Sequence, residues 1–432
     1  MSTLLRLATA GSVDDGKSTL VGRLLHDSKS VLVDQLDAVE RVSRDRGLDT
    51  ADLALLTDGL RAEREQGITI DVAYRYFATA ERSFVLADCP GHVQYTRNTV
   101  TGSSTADALV LLVDARKGVL EQTRRHLAVA ALMRVPHVVI AVNKIDLVAH
   151  SEEVFRTLAA DVRAIATELG IPDAHAVPVS ALVGDNVVDR SPNTPWYDGP
   201  SLLELLETLP ADTDPVHESF RMPVQVVIRP QGAARSPEHV EYRGYAGQLA
   251  SGSVRVGDEV VVHPSGLRST VAGIDLGEQS LDVAVAPQSV TIRLTDDVDV
   301  SRGDLLAAAT DPVPLRQEVT ALACWLGDEP LRPGARLLVK HGSRPVLAMV
   351  RSIDGRLDLD ALRLAPAGEL ALNDIGRVTV RFAAPLPVEE YSTSRRGGAF
   401  LLIDPDDGRT LAAVMADARA PGEHPTNGTT SP

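Results

Sequence analysis

The nine residues Gly11-Ser12-Val13-Asp14-Asp15-Gly16-Lys17-Ser18-Thr19 constrain this chain more than any other stretch. They spell G-x-x-x-x-G-K-[ST], with Gly11, Gly16, Lys17 and Ser18 in the fixed places. An apolar run at residues 4–10 precedes them and reads as a strand; residues 20–25 follow and read as the start of a helix. Strand, glycine-rich loop and helix, in that order, are the context a phosphate-binding loop requires. The two glycines open turn conformations closed to other residues. Successive amide N–H groups then converge on phosphate oxygens at the positive end of the helix. In such a loop Lys17 reaches the β- and γ-phosphates and the Ser18 hydroxyl is placed for Mg²⁺. A chance Gly-Lys turn is the competing account, and the strand–loop–helix register argues against it.

Further apolar runs at 83–87, 108–113, 137–142 and 176–179 alternate with helical patterns such as 122–133 and 151–169. Alternating strands and helices imply a doubly wound, mostly parallel α/β sheet, with ligands at the carboxyl ends of its strands. The polar motifs fall at those ends. Residues 63–71 read Glu-Arg-Glu-Gln-Gly-Ile-Thr-Ile-Asp. Thr69 is either an ordinary strand residue or, from its place between two nucleotide motifs, a hydroxyl that completes Mg²⁺ coordination while a γ-phosphate is present. Asp88-Cys89-Pro90-Gly91-His92 follows the 83–87 run. There Asp88 can hold Mg²⁺ through water, Gly91 can offer its N–H to the γ-phosphate, and His92 can position the attacking water. The 137–142 run ends in Asn143-Lys144-Ile145-Asp146. A carboxylate here accepts two hydrogen bonds from N1 and the 2-amino group of guanine, a pairing adenine cannot offer, so ATP is rejected. Ser180-Ala181-Leu182 closes the base pocket with backbone contacts. All five stretches stand in the order of a regulatory-type GTPase, so GTP and Mg²⁺ are the expected ligands.

Beyond residue 216 the texture changes to short β-type runs broken by Gly and Pro, at 224–228, 254–263, 269–274, 289–294, 319–326, 336–340, 346–353 and 376–382. Such spacing reads as β-barrels. A boundary near residue 313 is expected from Asp304-Leu305-Leu306 followed by Asp311-Pro312-Val313-Pro314, and residues 401–414 read as a closing hairpin. The expected division is 1–213 for the nucleotide domain, 214–312 and 313–416 for two barrels, and 417–432 as a disordered tail. Arg395-Arg396-Gly397-Gly398 reads as a solvated turn or an anion contact. No apolar run reaches the length of a membrane span, and the N-terminus carries no signal core. Cys89 and Cys324 are too few for a disulfide framework and suit a cytoplasmic chain. A net charge of −16 argues against broad nucleic-acid or membrane binding.

With these residues in hand the chain resembles the translation-factor GTPases, among them elongation factors Tu and 1-alpha, up to about residue 416. Within that group it is similar to the large GTPase subunits of bacterial sulfate adenylyltransferases. The likeness rests on Gly11–Thr19, where elongation factors usually have His at the second place, and on the block from Asp58 to Phe77, with Glu63-Arg64-Glu65-Gln66-Gly67 at its centre. Gln94-Tyr95-Thr96-Arg97-Asn98 adds to it, whereas Pro195-Trp196-Tyr197 is shared with elongation factor 1-alpha. The chain departs from that family at Cys89, Val93 and Thr99, where Thr, Glu and Met are usual.

The resemblance implies a heterodimer. A small partner subunit would carry the adenylyl-transfer site, making adenosine 5′-phosphosulfate and pyrophosphate from ATP and sulfate. GTP hydrolysis on this chain would drive that uphill step. Ser18 and Thr69 would be Mg²⁺ and switch ligands, Asn143, Lys144 and Asp146 would read guanine, and His92 would orient water. Some relatives carry a fused adenylylsulfate kinase; no second phosphate loop follows Lys17, so no kinase activity is expected. The rival reading is a translation factor that delivers aminoacyl-tRNA, and a third is a GTPase that regulates an unrelated partner without coupled chemistry.

Overall fold

Apolar runs of the first half assemble into one sheet because each is long enough for a strand and is covered on both faces. We describe the fold from a computed structural model over residues 3–29, 37, 39, 41–43, 53–56, 72–92, 96–211, 217–233 and 240–417. The chain forms two compact units, one built on Met1–Asp212 and one on Thr213–Arg356 with Leu364–Arg419.

The first unit carries strands β1 (Thr3–Ala10), β2 (Ala73–Ala78), β3 (Arg82–Asp88), β4 (Ala108–Asp114), β5 (His137–Asn143) and β6 (Asp173–Pro178). Their order across the sheet is β2-β3-β1-β4-β5-β6. Only β2 runs antiparallel, along β3; the other neighbours are parallel. Helices α1 (Lys17–Asp27), α2 (Thr96–Ser103), α3 (Glu121–Leu132), α4 (Glu152–Glu168) and α5 (Leu202–Thr208) connect or flank them. On one face Leu5, Leu7, Leu86, Val110 and Leu112 pack with Leu20, Val21 and Leu24 of α1 and with Leu202, Leu205 and Leu206 of α5. The intervening Leu109, Leu111 and Val113 are also buried, so β4 reads as an unbroken apolar run rather than an alternating one. The doubly wound, mostly parallel sheet is therefore as expected. Strand β2 was not anticipated; it sits inside the block that carries the family likeness. Thr69, the rest of 57–71, residues 93–95 and the tail from 418 onward lie outside the described residues.

The order of strands turns back at β1, whose neighbours β3 and β4 lie on opposite sides. The crevice above such a switch point is where open α/β sheets bind ligands, and the loop Gly11–Gly16 leaves β1 there.

Among the described residues the second unit holds two large antiparallel sheets that curl round on themselves and a two-stranded ribbon of Ser253–Arg255 with Val283–Val285. In the first, Arg221–Pro223 pairs with Leu305–Ala308, then Glu259–His263, Leu267–Leu276, Ser289–Leu294, Gly244–Gln248 and Val226–Ile228 follow. The bridge Arg221↔Ser251 brings the ends together. In the second, the order is Arg336–His341, Ala399–Ile403, Thr410–Ala416, Leu315–Trp325, Ile375–Pro387, Arg344–Asp358. Pairing of Arg344–Asp358 with Arg336–His341 closes that ring. Closure removes most of the open edge; the short strands Val226–Ile228 and Arg363–Ala365 each keep a single neighbour. The expected closing hairpin is present, with Leu402 opposite Ala412.

Two expectations need correction. The 224–228 run is broken, because Val224 bonds Asp304 while Gln225 bonds Ala246; the chain changes partner strands between them. The 254–263 run splits at Gly257, whose φ of +95° makes a turn. Leu305 and Leu306 lie in the strand Leu305–Ala308, and the next strand begins at Leu315. In the Arg395–Gly398 turn Arg396 is exposed, while Gly398 is buried, where a Cβ would lie 2.4 Å from Tyr391 backbone.

Arg221, buried on the first of these sheets, donates through Nε to Glu389 at 3.0 Å and through Nη2 to Asp311 at 2.9 Å. Glu389 follows directly on the second sheet, so this guanidinium ties the two barrels. Asp311 is exposed and screened by water, so the loss falls mainly on Glu389, which removal of Arg221 leaves mostly buried and uncompensated. Arg221→Ala is expected to lower the thermal unfolding midpoint by several degrees, with Arg221→Lys recovering only part; calorimetry on the full chain reads both.

Candidate active site

The loop after β1 is shaped by backbone conformations few residues adopt. Gly16 has φ +95° and Asp14 φ +65°. A Cβ on Gly16 would stand 2.4 Å from Asn143 Nδ2, and one on Gly11 would stand 3.0 Å from the Leu112 carbonyl. The loop closes on itself through Ser12 N–H, which donates to Asp15 Oδ2 at 2.7 Å. Lys17 opens α1 and folds back, donating to the carbonyls of Gly11 at 2.8 Å and Ser12 at 2.9 Å. An ammonium has three donors, so one remains for an incoming oxygen. Burial pulls the Lys17 pKa below its usual value, while Asp88 and Asp15 oppose that; a phosphate would restore the charge balance. Asp15 is itself buried, and its carboxyl is pushed up by burial against the Ser12 bond. Ser18 and Thr19 are half-buried on the first turn of α1, and Val13 is exposed at the loop tip.

Asp88 ends β3 directly opposite Thr9 of β1. The Thr9 hydroxyl donates to Asp88 Oδ1 at 2.8 Å and accepts from Cys89 N–H at 3.4 Å. Cys89 and Pro90 are buried. Burial pushes the Cys89 thiol well above its usual range, so it is a neutral packing group beside Gly102, where a Cβ would meet its sulfur at 2.4 Å. Gly91 lies against the phosphate loop: a Cβ there would be 2.3 Å from Lys17 Nζ and 2.8 Å from the Gly11 carbonyl. His92 follows, half-buried. Asp88 and Ser18 together offer carboxylate and hydroxyl oxygens, the hard donors Mg²⁺ takes. Among the described residues no cluster of three His, Cys, Asp or Glu side chains could hold a metal alone.

At the end of β5, Asn143 and Lys144 act first as braces. Asn143 Nδ2 donates to the Asp15 carbonyl at 2.7 Å, and its Oδ1 accepts from Ala181 N–H at 3.0 Å. Lys144 donates to the Asp14 carbonyl and pairs with Asp114 Oδ2 at 3.0 Å. Asp146 is half-buried in the 3₁₀ turn Ile145–Val148 that follows. The Ser180 amide donates to the Asp185 carbonyl at 3.1 Å. Arg23 of α1 donates to the carbonyls of Ala181 and Leu182. Four strand ends thus converge: β1 with Gly11–Thr19, β3 with Asp88–His92, β5 with Asn143–Asp146 and β6 with Ser180–Leu182.

Sequence reasoning passed over several contributors. Asp114 ends β4 level with Asn143; that register, once the strands are paired, marks it. Burial would raise its carboxyl, but bonds from Arg116 and Lys144 outweigh burial and hold it far below the usual range. His126 and Gln122 lie one helical turn apart on α3, 3.3 Å between their side-chain nitrogens. His126 is fully buried and bonds the Gly11 backbone; burial, with Lys17 nearby, pushes it down to about 3. The i, i+4 spacing of two polar residues on an otherwise apolar helix face was the available signal.

Two measurements test this geometry. In Gly16→Ala a Cβ meets both the left-handed backbone penalty and the Asn143 amide, so GTP affinity is expected to fall at least about tenfold, a loss of ~1.4 kcal/mol; equilibrium titration reads it. His126 titrates from 6.5 to about 3 on folding. The unfolded chain therefore binds a proton in that window that the fold refuses, so this contribution to stability is intact above 6.5 and lost as pH falls toward 3. The melting midpoint should drop between pH 7.5 and 5, and drop less in His126→Gln.

The family profile "Elongation factor Tu GTP binding domain" matches residues 2–213, and "GTP-eEF1A C-terminal domain-like" matches 318–417. The protein named sulfate adenylyltransferase subunit 1 of Cellvibrio japonicus is 47% identical over 98% of this chain and 88% of its own. Its namesake in Laribacter hongkongensis is 46% identical over 97% and 86%. The "Bifunctional enzyme CysN/CysC" of Mycobacterium tuberculosis is 52% identical over 96% of this chain, which spans 67% of that protein. The chain binds GTP through the first unit and belongs to the sulfate adenylyltransferase subunit 1 family.

Proposed function

We propose that this chain is the GTP-hydrolysing subunit of a sulfate adenylyltransferase and couples that hydrolysis to the formation of adenosine 5′-phosphosulfate from ATP and sulfate. The observation that carries the proposal is identity at 47% across 98% of the chain to a protein named as subunit 1 of that enzyme. A subunit so named belongs with a second one, and the adenylyl transfer is assigned to a small partner in the cytoplasm. These 432 residues hold a single phosphate loop, and the proposal assigns them no kinase site. The domains are drawn at 1–213, 214–312 and 313–416.

Each site residue then has a task. The loop amides from Val13 to Thr19 cradle the phosphates, and the third donor of Lys17 meets the β- and γ-phosphate oxygens. Ser18, Thr69 and Asp88 are the residues to hold Mg²⁺, which when bound neutralises charge on the phosphates. Gly91 offers its amide to the γ-phosphate, and its tight seat against Lys17 supports that role. His92 orients the water. Asp146 accepts from guanine N1 and the 2-amino group, while Asn143 and Lys144 hold the turn that presents it and Ser180, Ala181 and Leu182 close the pocket. The translation-factor reading shares the fold and these motifs; the names of the relatives that cover the whole chain favour the transferase.

The test uses this chain purified with the small subunit, supplied with ATP, radiolabelled sulfate, Mg²⁺ and pyrophosphatase. GTP is expected to raise adenosine 5′-phosphosulfate formation strongly, and Asp146→Ala to abolish the increase. Synthesis indifferent to GTP would overturn the coupling, and GTP-dependent retention of aminoacyl-tRNA would restore the translation-factor reading.

A further inference from the structure

The turn that presents Asp146 is built from a conformation L-residues disfavour. Lys144, Ala149 and His150 all have positive φ, of 63°, 55° and 51°, and none is glycine. Such residues persist only where surrounding contacts over-determine them. The bond of His150 N–H to the Ile145 carbonyl, at 2.8 Å, closes the turn from within. From outside, Ile145 N–H donates to the Val179 carbonyl at 3.3 Å, and two bonds arrive at His150 from the segment that follows Ser180–Leu182. The Asp185 carboxylate lies 3.0 Å from His150 Nε2. The Trp196 indole N–H donates to the His150 carbonyl at 2.9 Å.

Neither anchor is loose. Asp185 is buried, and its other oxygen accepts from Ser191 Oγ at 2.5 Å and Asn193 Nδ2 at 2.9 Å. Burial alone would raise its carboxyl; the bonds from Ser191, His150 and Asn193 outweigh it and hold it below the usual range. Its backbone carbonyl is the one that fixes Ser180 N–H. Trp196 packs on Phe155 of α4, with ring centroids 5.4 Å apart, and Phe155 also meets Tyr197 edge-on at 5.8 Å. Asn186 completes the frame: its Nδ2 donates to the Pro178 carbonyl and to Thr194 Oγ1, and its Oδ1 accepts from Ser191 N–H.

The geometry points to the segment 185–196 as a clamp that sets guanine specificity: Asp185 and Trp196, acting through His150, hold the Asp146 turn in register with the Ser180–Leu182 loop on the other side of the base. Asp185 and Trp196 are positioning residues, touching the turn rather than the nucleotide. The Pro195-Trp196-Tyr197 stretch thereby gains a role that its sequence alone did not suggest. This inference rests on the assignment of Asp146 as the reader of guanine.

A clamp of this kind acts on the base contacts and leaves the phosphate contacts intact. Inosine triphosphate, which lacks the 2-amino group, separates the two. Binding of GTP and inosine triphosphate is to be measured by calorimetric titration on the full chain and on two variants. Trp196→Phe removes only the indole N–H and keeps the ring on Phe155. His150→Asn withdraws the imidazole and suits the positive φ. In both, the GTP dissociation constant is expected to rise about tenfold and that of inosine triphosphate much less, so the preference for GTP shrinks. Equal loss for the two nucleotides, or no loss in either variant, overturns the clamp. Wild-type chain that binds both nucleotides equally removes the guanine reading by Asp146, and the clamp with it, which is a different result from a wild-type preference that both variants retain.

Discussion

One carboxamide holds the nucleotide site together. Asn143 donates to the carbonyl of Asp15 and accepts from the amide of Ala181, so the loops Gly11–Gly16 and Ser180–Leu182 are fixed by a single side chain from a third strand. Both bonds are buried, where a hydrogen bond is stronger and an unmade one is costlier than in water. The geometry also explains Gly16, since any Cβ there would occupy the space of that amide. The parallel sheet makes the arrangement possible: strands of one direction end at one edge, and only there can side chains from β1, β3, β5 and β6 meet.

The site also manages charge in an otherwise acidic chain. Lys17 and Lys144 both lie over carbonyl oxygens of the phosphate loop, and Asp88, Asp114 and Asp15 surround them. Burying an ammonium without partners is expensive; here backbone oxygens share it and acids balance it. The result is a loop whose cations are oriented before any phosphate arrives. His126 underneath stays neutral, so it supports the Gly11 backbone without adding a further cation.

The second unit solves a different problem. Short strands expose edges, and its two large sheets remove most of them by closing on themselves. Arg221 then joins the two rings through Asp311 and Glu389. Its chemistry is mechanical: planar, always charged and forked, a guanidinium can hold two carboxylates from different segments at once.

The sequence by itself determined the sheet class and the order of the nucleotide motifs, because Gly11, Gly16 and Lys17 act through local backbone geometry and because residues 108–113 and 138–142 are apolar without a break. It also placed Asp88 and Asn143 at strand ends. It did not reveal β2, which needs β3 as its partner, nor the break at Val224–Gln225, where the chain exchanges one neighbour strand for another. Nor did it mark Asp114, His126, Asp185 or His150, each of which also bonds a residue far along the chain: Asp114 bonds Lys144, His126 bonds Gly11, and Asp185 and His150 bond each other. Asn143 and Lys144 were legible as members of a motif, but their bracing of Asp14, Asp15 and Ala181 was decided only by the tertiary structure, since a hydrogen bond between distant residues leaves no period or spacing in the sequence to read.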